Sequence, residues 1–210
     1  MTIICLEGAS AVGKTSTSNE LTRMRNTYIV PEVNLLFERP TFATNTWYLE
    51  RQVERWKIAR EKQKDYELVI LDGDIFQPLS YNWCFDFKIY EQSLDAIYEF
   101  YQAEIRKGKI MFPDRYFYLY TSINNLKKRK ENDKTRKRRN FETHIDIIEP
   151  HQRYYEALNQ LELQFVQLIE AENIECNARV IEDNLPSSKA YRDSERLIDS
   201  IKNWLMKTKP

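Results

Sequence analysis

The sequence predicts an α/β fold in which a largely parallel sheet carries helices on both faces. Short apolar runs alternate with long amphipathic stretches along the 210 residues, which is the pattern of βα units. The runs are apolar at consecutive positions, as expected of strands buried on both faces. The chain contains no internal repeat and no Gly/Ser linker, so residues 1–210 are expected to form a single domain.

Five apolar runs are predicted as strands, and three stretches have helical spacing. The predicted strands are residues 3–6, 28–30, 68–71, 117–120 and 179–181. The first helical stretch ends before Gly108, a residue that often follows a helix C-terminus. The apolar residues of the three helical stretches are Phe87, Tyr90, Leu94, Ile97, Tyr101 and Ile105; then Tyr155, Leu158, Leu161, Phe165 and Leu168; then Leu197, Ile201, Trp204 and Leu205.

The turn after the first predicted strand matches G-x-x-x-x-G-K-[ST] at residues 8–15 without a mismatch. Glycines in such a loop let backbone N–H groups approach phosphate oxygens, and the following helix directs its positive dipole end at the same charge. Lys14 is expected to reach the β and γ phosphates of ATP, and the Thr15 hydroxyl to hold Mg²⁺. The predicted nucleotide-binding residues are Gly8, Ala9, Ser10, Ala11, Val12, Gly13, Lys14, Thr15 and Ser16.

Other features of the sequence exclude several classes of protein. Cys5, Cys84 and Cys176 are far apart, without the spacing of a zinc site or a disulfide framework. No uncharged run approaches the roughly 20 residues of a membrane helix. We therefore expect a cytoplasmic protein that does not enter a membrane. His144 and His151 are seven residues apart with no third ligand in view, and no metal is assigned to them.

The net charge is zero, yet residues 127–139 contain nine Lys/Arg and two acids. A solvated helix face, a nucleic-acid patch and a lid over ATP are three interpretations of this run. The neutral chain argues against nucleic acid as a partner. We favour a basic lid at about residues 127–140, because phosphoryl transfer requires positioned cations. The candidate arginines are Arg129, Arg136, Arg138 and Arg139. Of these, Arg136 and Arg139 are predicted to be catalytic.

Several blocks in order resemble the thymidylate kinase and deoxynucleoside kinase family. They are LEGASAVGKTS, VILDGDIFQPLSYNW, PDRYFYLYTSINNLKKRK, RRNFETHIDIIEPHQRYYEAL and RVIEDNLPSS. The last block resembles the final strand and the loop against which adenine lies in that family. The resemblance implies the P-loop NTPase fold, with a five-stranded parallel sheet, helices on both faces and a lid. It also implies that a homodimer is possible.

Two acids follow the third predicted strand. Asp72 ends the strand beside the phosphate loop of this fold, where a carboxylate can accept a proton or position Mg²⁺; the alternative is a cap of the next helix. Asp74 is a second candidate. The family's thymidylate kinases place an arginine for the acceptor phosphate directly after the strand's aspartate, and here that position is Gly73.

The acceptor side of the site is expected around Glu32, which corresponds to a glutamate that contacts the sugar or acts as base in deoxynucleoside kinases. Arg39 is a candidate replacement for the missing phosphate contact. The helix after this loop carries residues at the place where the family reads the acceptor base by stacking and amide hydrogen bonds. They are Trp47, Gln52 and Trp56.

Together these features predict an ATP-dependent, Mg²⁺-requiring kinase of a small-molecule acceptor, a nucleoside or nucleotide. The predicted catalytic residues are Lys14, Glu32, Asp72, Arg136 and Arg139, and the predicted metal ligands are Thr15 and Asp72. Two alternatives remain open at this point. One is a kinase of another small alcohol, such as an antibiotic or vitamin precursor. The other is a nucleotide-binding regulatory ATPase.

Overall fold

In the computed structural model, five parallel strands form one sheet in the order β2-β3-β1-β4-β5. The structure describes residues 1–88, 92–133, 141–187 and 192–210. The strands are β1 Thr2–Gly8, β2 Thr27–Val30, β3 Leu68–Asp72, β4 Arg115–Tyr120 and β5 Val166–Glu170. A five-stranded parallel sheet is confirmed, and the first four strands include the runs predicted for them.

Helices lie between and after the strands. They are α1 Lys14–Met24, α2 Val33–Leu36, α3 Trp47–Lys62, α4 Gln77–Cys84, α5 Leu94–Arg106, α6 Ile123–Asn132, α7 Phe141–Asp146, α8 Ile148–Leu161, α9 Ile174–Asp183 and α10 Ser194–Lys207. No helix in the described ranges is both long enough and apolar enough to cross a bilayer.

The sheet separates two hydrophobic cores, as the alternation of β1 side chains shows. Ile3 and Cys5 pack into one cluster with residues of α3, α4, α5, α8 and α10. Ile4 and Leu6 point to the other face and pack with residues of α1, α6, α7 and α9. Successive residues of a strand point to opposite faces, so a consecutive apolar run is required when both faces are covered.

The predicted fifth strand is wrong. Residues 179–181 lie inside α9, where Asn173 caps the helix by accepting a hydrogen bond from the Cys176 N–H at 2.8 Å. Ala178 and Ile181 are buried one helical turn apart in the core that contains Leu21 of α1. A three-residue apolar run does not distinguish a strand from one face of a helix. The adenine loop assigned to RVIEDNLPSS is therefore misplaced, because the last strand ends earlier.

The last strand of the sheet is β5, although the sequence predicts a helix at Phe165 and Leu168. Helix α8 ends at Leu161, and a turn with Leu163 81% exposed and Gln164 at φ 61 separates it from β5. Phe165 and Leu168 therefore do not continue the stripe of α8. They coincide with its period by chance, since spacings of three and four also occur across a tight turn.

The helix predicted from Phe87 begins later. Phe87 has φ 55, and α5 starts at Leu94 after Ser93, whose hydroxyl accepts a hydrogen bond from the Ala96 N–H. Tyr90 lies outside the described residues. The C-terminal part of the prediction is confirmed, because α5 ends at Arg106 and Gly108 follows with φ 68.

Candidate active site

The loop between β1 and α1 has the conformation that its glycines predict. Gly8 has φ 139, and a Cβ there would lie 2.2 Å from the Leu119 carbonyl oxygen, so no larger residue fits. Gly13 has φ 111 and is the N-cap of α1. The first turn of α1 therefore directs its backbone N–H groups toward the loop interior, as an anion site requires.

Lys14 lies across this loop. Its Nζ donates to the carbonyl oxygen of Gly8 at 2.6 Å, and it is 4.0 Å from Glu7 Oε1. Glu7 is buried and accepts the backbone N–H groups of Gly8 and Asp74, both at 2.8 Å. Glu7 thus fixes the ends of β1 and β3 together and provides a counter-charge for the lysine. Glu7 is not among the site residues predicted from the sequence.

Thr15 and Asp72 meet at the carboxyl edge of the sheet. The Thr15 hydroxyl donates to Asp72 Oδ2 at 2.9 Å. Asp72 is 3% exposed, and its Oδ1 has no hydrogen-bond partner among the described residues. A buried carboxylate oxygen without a partner is costly unless something binds it. A hydroxyl beside such a carboxylate matches the oxygen ligands that Mg²⁺ prefers, so the predicted pair Thr15 and Asp72 fits this ion.

Glu32 precedes α2 as its N-cap residue and faces the phosphate loop from β2. Burial raises the pKa of its carboxyl; Lys14 opposes this shift, and the negative charge of Asp72 adds to it. A Cβ placed on Gly73 would lie 3.9 Å from Glu32 Oε1. The structure therefore brings Glu32, Lys14 and Asp72 to one place, and all three were predicted to act together.

Asp74 is turned away from the predicted site. Its Oδ1 accepts hydrogen bonds from the Phe76 N–H at 3.0 Å and the Tyr116 hydroxyl at 2.7 Å, and its Oδ2 accepts the Tyr155 hydroxyl at 3.0 Å. Burial raises its pKa to about 6, and these three hydrogen bonds oppose the shift. Both oxygens are engaged in the core, so this candidate has a packing role rather than a catalytic one.

Arg55 of α3 is a further residue of the site that was not predicted from the sequence. It is 1% exposed, and its guanidinium donates to Pro31 O, Gln52 Oε1, Asp72 O and Gly73 O at 2.8–3.0 Å. It therefore joins β2, α3 and β3, and its positive charge opposes the rise in the pKa of Glu32. The available signal was an arginine on the apolar face of a helix, one residue before Trp56.

The residues predicted to read the acceptor base are not those that face the cavity. Gln52 is fully buried and accepts from Arg55, and Trp56 is 5% exposed in the core. From α3, Tyr48 and Arg55 line the cavity instead. Gln52 lies one turn from both Tyr48 and Arg55 on the same side of α3, but its amide oxygen is engaged by the Arg55 guanidinium at 2.8 Å.

Two connected hollows meet at Lys14 and Glu32. The smaller one follows the phosphate loop from Ala9 to Ser16. The larger one, of about 480 Å³, extends past Glu32 and Gly73 toward α4 and α8, with Arg39 on its lining. Lys14, Glu32 and His144 line both hollows. A group bound in the first hollow would thus contact a group bound in the second.

Both histidines line the larger hollow. Tyr81 and His144 share a hydrogen bond between Oη and Nε2, and the Tyr118 hydroxyl is 3.3 Å from His151 Nδ1. Burial lowers the pKa of His144 to about 4 and that of His151 to about 3, with the positive charge of Lys14 adding to both shifts. Both rings are therefore neutral at pH 7. In the described part of the chain, no group of His, Cys, Asp and Glu side chains could hold a metal ion.

The basic run begins in α6, where Arg129 contacts the phosphate loop. Its guanidinium donates to Val12 O at 2.7 Å, and to Ala171 O and Glu172 O at 2.7 and 3.1 Å. It thus joins the loop to the chain that follows β5. Arg136, Arg138 and Arg139 lie outside the described residues, as does the second half of the predicted lid.

Comparison with known proteins agrees with this architecture. Deoxyadenosine kinase from M. mycoides with bound dATP superposes with a TM-score of 0.58 at 16% identity, over 87% of this chain and 98% of that chain. Thymidylate kinase from Candida albicans superposes with a TM-score of 0.60 at 14% identity, over 87% and 92%. These likenesses show the fold, that of P-loop nucleoside and nucleotide kinases.

Sequence comparison gives two results. No curated protein sequence matches this chain. The family model described as AAA domain matches residues 3–175. That match covers most of the 210 residues, and it includes the phosphate loop, Glu32, Asp72 and all five strands. The chain belongs to this AAA domain family.

Proposed function

We propose that this protein is an ATP-dependent phosphotransferase that phosphorylates a nucleoside or nucleotide. The observation that carries the proposal is the junction at Lys14 and Glu32, which line both the phosphate-loop hollow and the larger cavity. A donor bound by the loop and an acceptor in the cavity would meet there. This arrangement favours transfer between two bound molecules over hydrolysis alone.

On the donor side, the backbone N–H groups of residues 8–16 bind the phosphates of ATP, and Lys14 exchanges its bond to the Gly8 carbonyl for phosphate oxygens. Thr15 and Asp72 would hold Mg²⁺, which would supply positive charge next to the phosphates of ATP. Arg129 is 2.7 Å from Val12 O and supports the loop from α6.

On the acceptor side, Glu32 orients the attacking hydroxyl and accepts its proton. The acceptor oxygen forms a bond to the γ phosphorus, the bond from that phosphorus to the β–γ bridging oxygen breaks, and ADP leaves. Burial raises the pKa of Glu32, which makes it a stronger base than an exposed glutamate. From the sequence, Arg136 and Arg139 are proposed to stabilise the charge on the transferring phosphoryl group.

The proposal is tested with γ-labelled ATP and a panel of nucleosides, nucleotides, oligonucleotides and small alcohols. We expect label on nucleosides or nucleotides. Label on small alcohols alone would identify the other kinase class, and free phosphate with every acceptor would identify an ATPase; either result would contradict the proposal. Lys14→Ala should abolish transfer, whereas Lys207→Ala, on the exposed face of α10, should leave it unchanged.

A further inference from the structure

The larger cavity is lined by two buried polar atoms that have no partner among the described residues. Asn82 of α4 and His151 of α8 are 3% and 4% exposed, and both line the cavity. Asn82 Oδ1 and His151 Nε2 have no hydrogen-bond partner among the described residues. Buried polar atoms are nearly always paired. The cavity therefore places two unused hydrogen-bonding atoms where a bound molecule can meet them.

The surroundings of these atoms are suited to a flat polar ring. Tyr81 and Tyr118 line the same wall, and their rings lie 5.8 and 5.6 Å from the His151 ring, both in an edge-to-face arrangement. Tyr118 also fixes the histidine by the contact of its hydroxyl with Nδ1. An amide oxygen, an imidazole nitrogen and aromatic walls together match the edge and faces of a nucleobase.

The cavity carries carboxylates that would repel an anionic acceptor. Glu7 and Glu32 line it, and Asp72 lies next to it. Among the described residues, the lining cations are Lys14, Arg39 and Arg55. Both histidines are neutral at pH 7, since burial lowers their pKa values.

Two of the three cations are already engaged. Arg55 uses four of its five donors on Pro31, Gln52, Asp72 and Gly73. Lys14 belongs to the donor phosphates in the proposed function. Arg39 remains, on an exposed part of the chain at the cavity rim. A nucleoside monophosphate carries close to two negative charges at pH 7; near the carboxylates of Glu7 and Glu32, its phosphate would find most donors of the lining cations already in use, apart from those of Arg39.

We infer that the acceptor is an uncharged nucleoside rather than a nucleotide, and that Asn82 and His151 bind its base. This inference rests on the proposed function, because it concerns the same cavity. It identifies the class of acceptor by charge, and it assigns specificity to α4 and α8 instead of to the α3 residues predicted from the sequence.

The first test compares binding of four deoxynucleosides and their 5′-monophosphates by isothermal titration calorimetry with a non-hydrolysable ATP analogue present. The best nucleoside should bind at least tenfold more tightly than its monophosphate. Equal or tighter binding of the monophosphate would overturn the inference, and loss of that binding in Arg39→Ala would locate the phosphate subsite. Glu32→Gln should reduce the difference in Kd between the nucleoside and its monophosphate, because the monophosphate binds more tightly once the carboxylate charge is removed.

Measuring both nucleoside binding and phosphate transfer distinguishes a failure of the proposed function from a failure of this inference. A protein that binds nucleosides but transfers no label from ATP contradicts the proposed function and leaves the nucleoside site standing. A protein that phosphorylates monophosphates in preference to nucleosides retains the kinase function and overturns the inference.

The second test concerns the two base-binding residues. Asn82→Leu keeps the side-chain size but removes the hydrogen-bonding atoms, so nucleoside Kd should rise at least tenfold while the Kd of the ATP analogue stays unchanged. Asn203→Leu, at an exposed position of α10, is the matched control. Unchanged nucleoside affinity in Asn82→Leu would show that Asn82 does not bind the base. His151→Phe gives an independent second variant with the same expected loss, and thermal unfolding shows that each variant is folded.

Discussion

At the scale of single residues, Asp72 and Asp74 show how neighbouring acids take different roles. They follow each other closely at the end of β3, with Gly73 between them at φ 85. That turn directs Asp72 toward Thr15 and Asp74 toward Tyr116 and Tyr155. Within the described residues, Asp72 keeps one oxygen without a partner, whereas both oxygens of Asp74 accept hydrogen bonds. Their availability to a ligand therefore differs because of backbone direction.

Asp72→Asn should lower kcat by about 10²–10³, because an amide removes the negative charge beside the phosphates. The fold should persist, since the amide oxygen still accepts the Thr15 hydroxyl at the same place. Steady-state kinetics with ATP and the best acceptor measure kcat, and equilibrium binding measures ATP affinity. An unchanged kcat would assign Asp72 to a structural role only.

Asp74→Asn should change how the free energy of unfolding depends on pH. Burial raises the pKa of Asp74 from 3.8 to about 6 in the folded protein. The folded state therefore binds more protons between these values, so the contribution of Asp74 to stability is present below pH 4 and is lost as pH rises through 6. Over this pH range, the free energy of unfolding loses roughly 3 kcal/mol of stabilisation from Asp74.

Urea unfolding of wild type and Asp74→Asn at pH 4, 5, 6 and 7 measures this effect. The stability of wild type relative to the variant should decrease as pH rises. If the difference between the two proteins does not depend on pH, the carboxyl titrates normally and the effect of burial is absent.

At the scale of elements, the site is held by side chains that join the ends of strands. Glu7 links the end of β1 to the backbone after β3. Arg55 links α3 to the ends of β2 and β3, and Arg129 links α6 to the phosphate loop and to the chain after β5. Parallel strands place their carboxyl ends at one edge, so a few such contacts order the whole site.

Arg55→Met should destabilise the protein by about 3–5 kcal/mol, because it removes a buried cation and leaves four oxygens without their donor. Thermal and urea unfolding measure the loss. Arg60→Met, at an exposed position of the same helix, should change stability by less than about 0.5 kcal/mol. A similar small effect for both substitutions would mean that solvent replaces the donors of Arg55.

At the scale of the whole molecule, one side of the sheet carries a polar cavity within its larger core. The core that contains α3, α4, α5, α8 and α10 also contains the walls of this cavity. Neutral His144 and His151 are part of these walls, with pKa values lowered by burial to about 4 and about 3. Their protonation is therefore coupled to unfolding of the domain.

His151→Gln should make the protein less sensitive to acid. The unfolded chain binds a proton on this histidine near pH 6.5, whereas the folded protein does so only near pH 3. Its contribution to stability is thus complete above pH 6.5 and decreases as pH falls, by roughly 2 kcal/mol between pH 6.5 and 5. Urea unfolding at pH 7 and 5 should show a smaller loss in the variant than in wild type. An equal loss would mean that the histidine is protonated in the folded state.

The sequence alone determined the phosphate loop and the first four strands. The loop was predictable because Gly8 and Gly13 need backbone conformations that other residues rarely adopt. The strands were predictable because burial on both faces demands consecutive apolar residues. The placing of Lys14, Thr15 and Asp72 at one edge followed from the parallel sheet.

Only the tertiary structure decided the last strand, the role of Asp74 and the walls of the cavity. Residues 166–170 (VQLIE) and 179–181 (RVI) are both short segments that mix apolar and polar residues, and the second belongs to a helix that packs against α1. Arg55, Asn82 and His151 come from three different helices. Their proximity depends on how α3, α4 and α8 pack on the sheet, and contacts between residues far apart in the chain leave no periodic signal in one sequence.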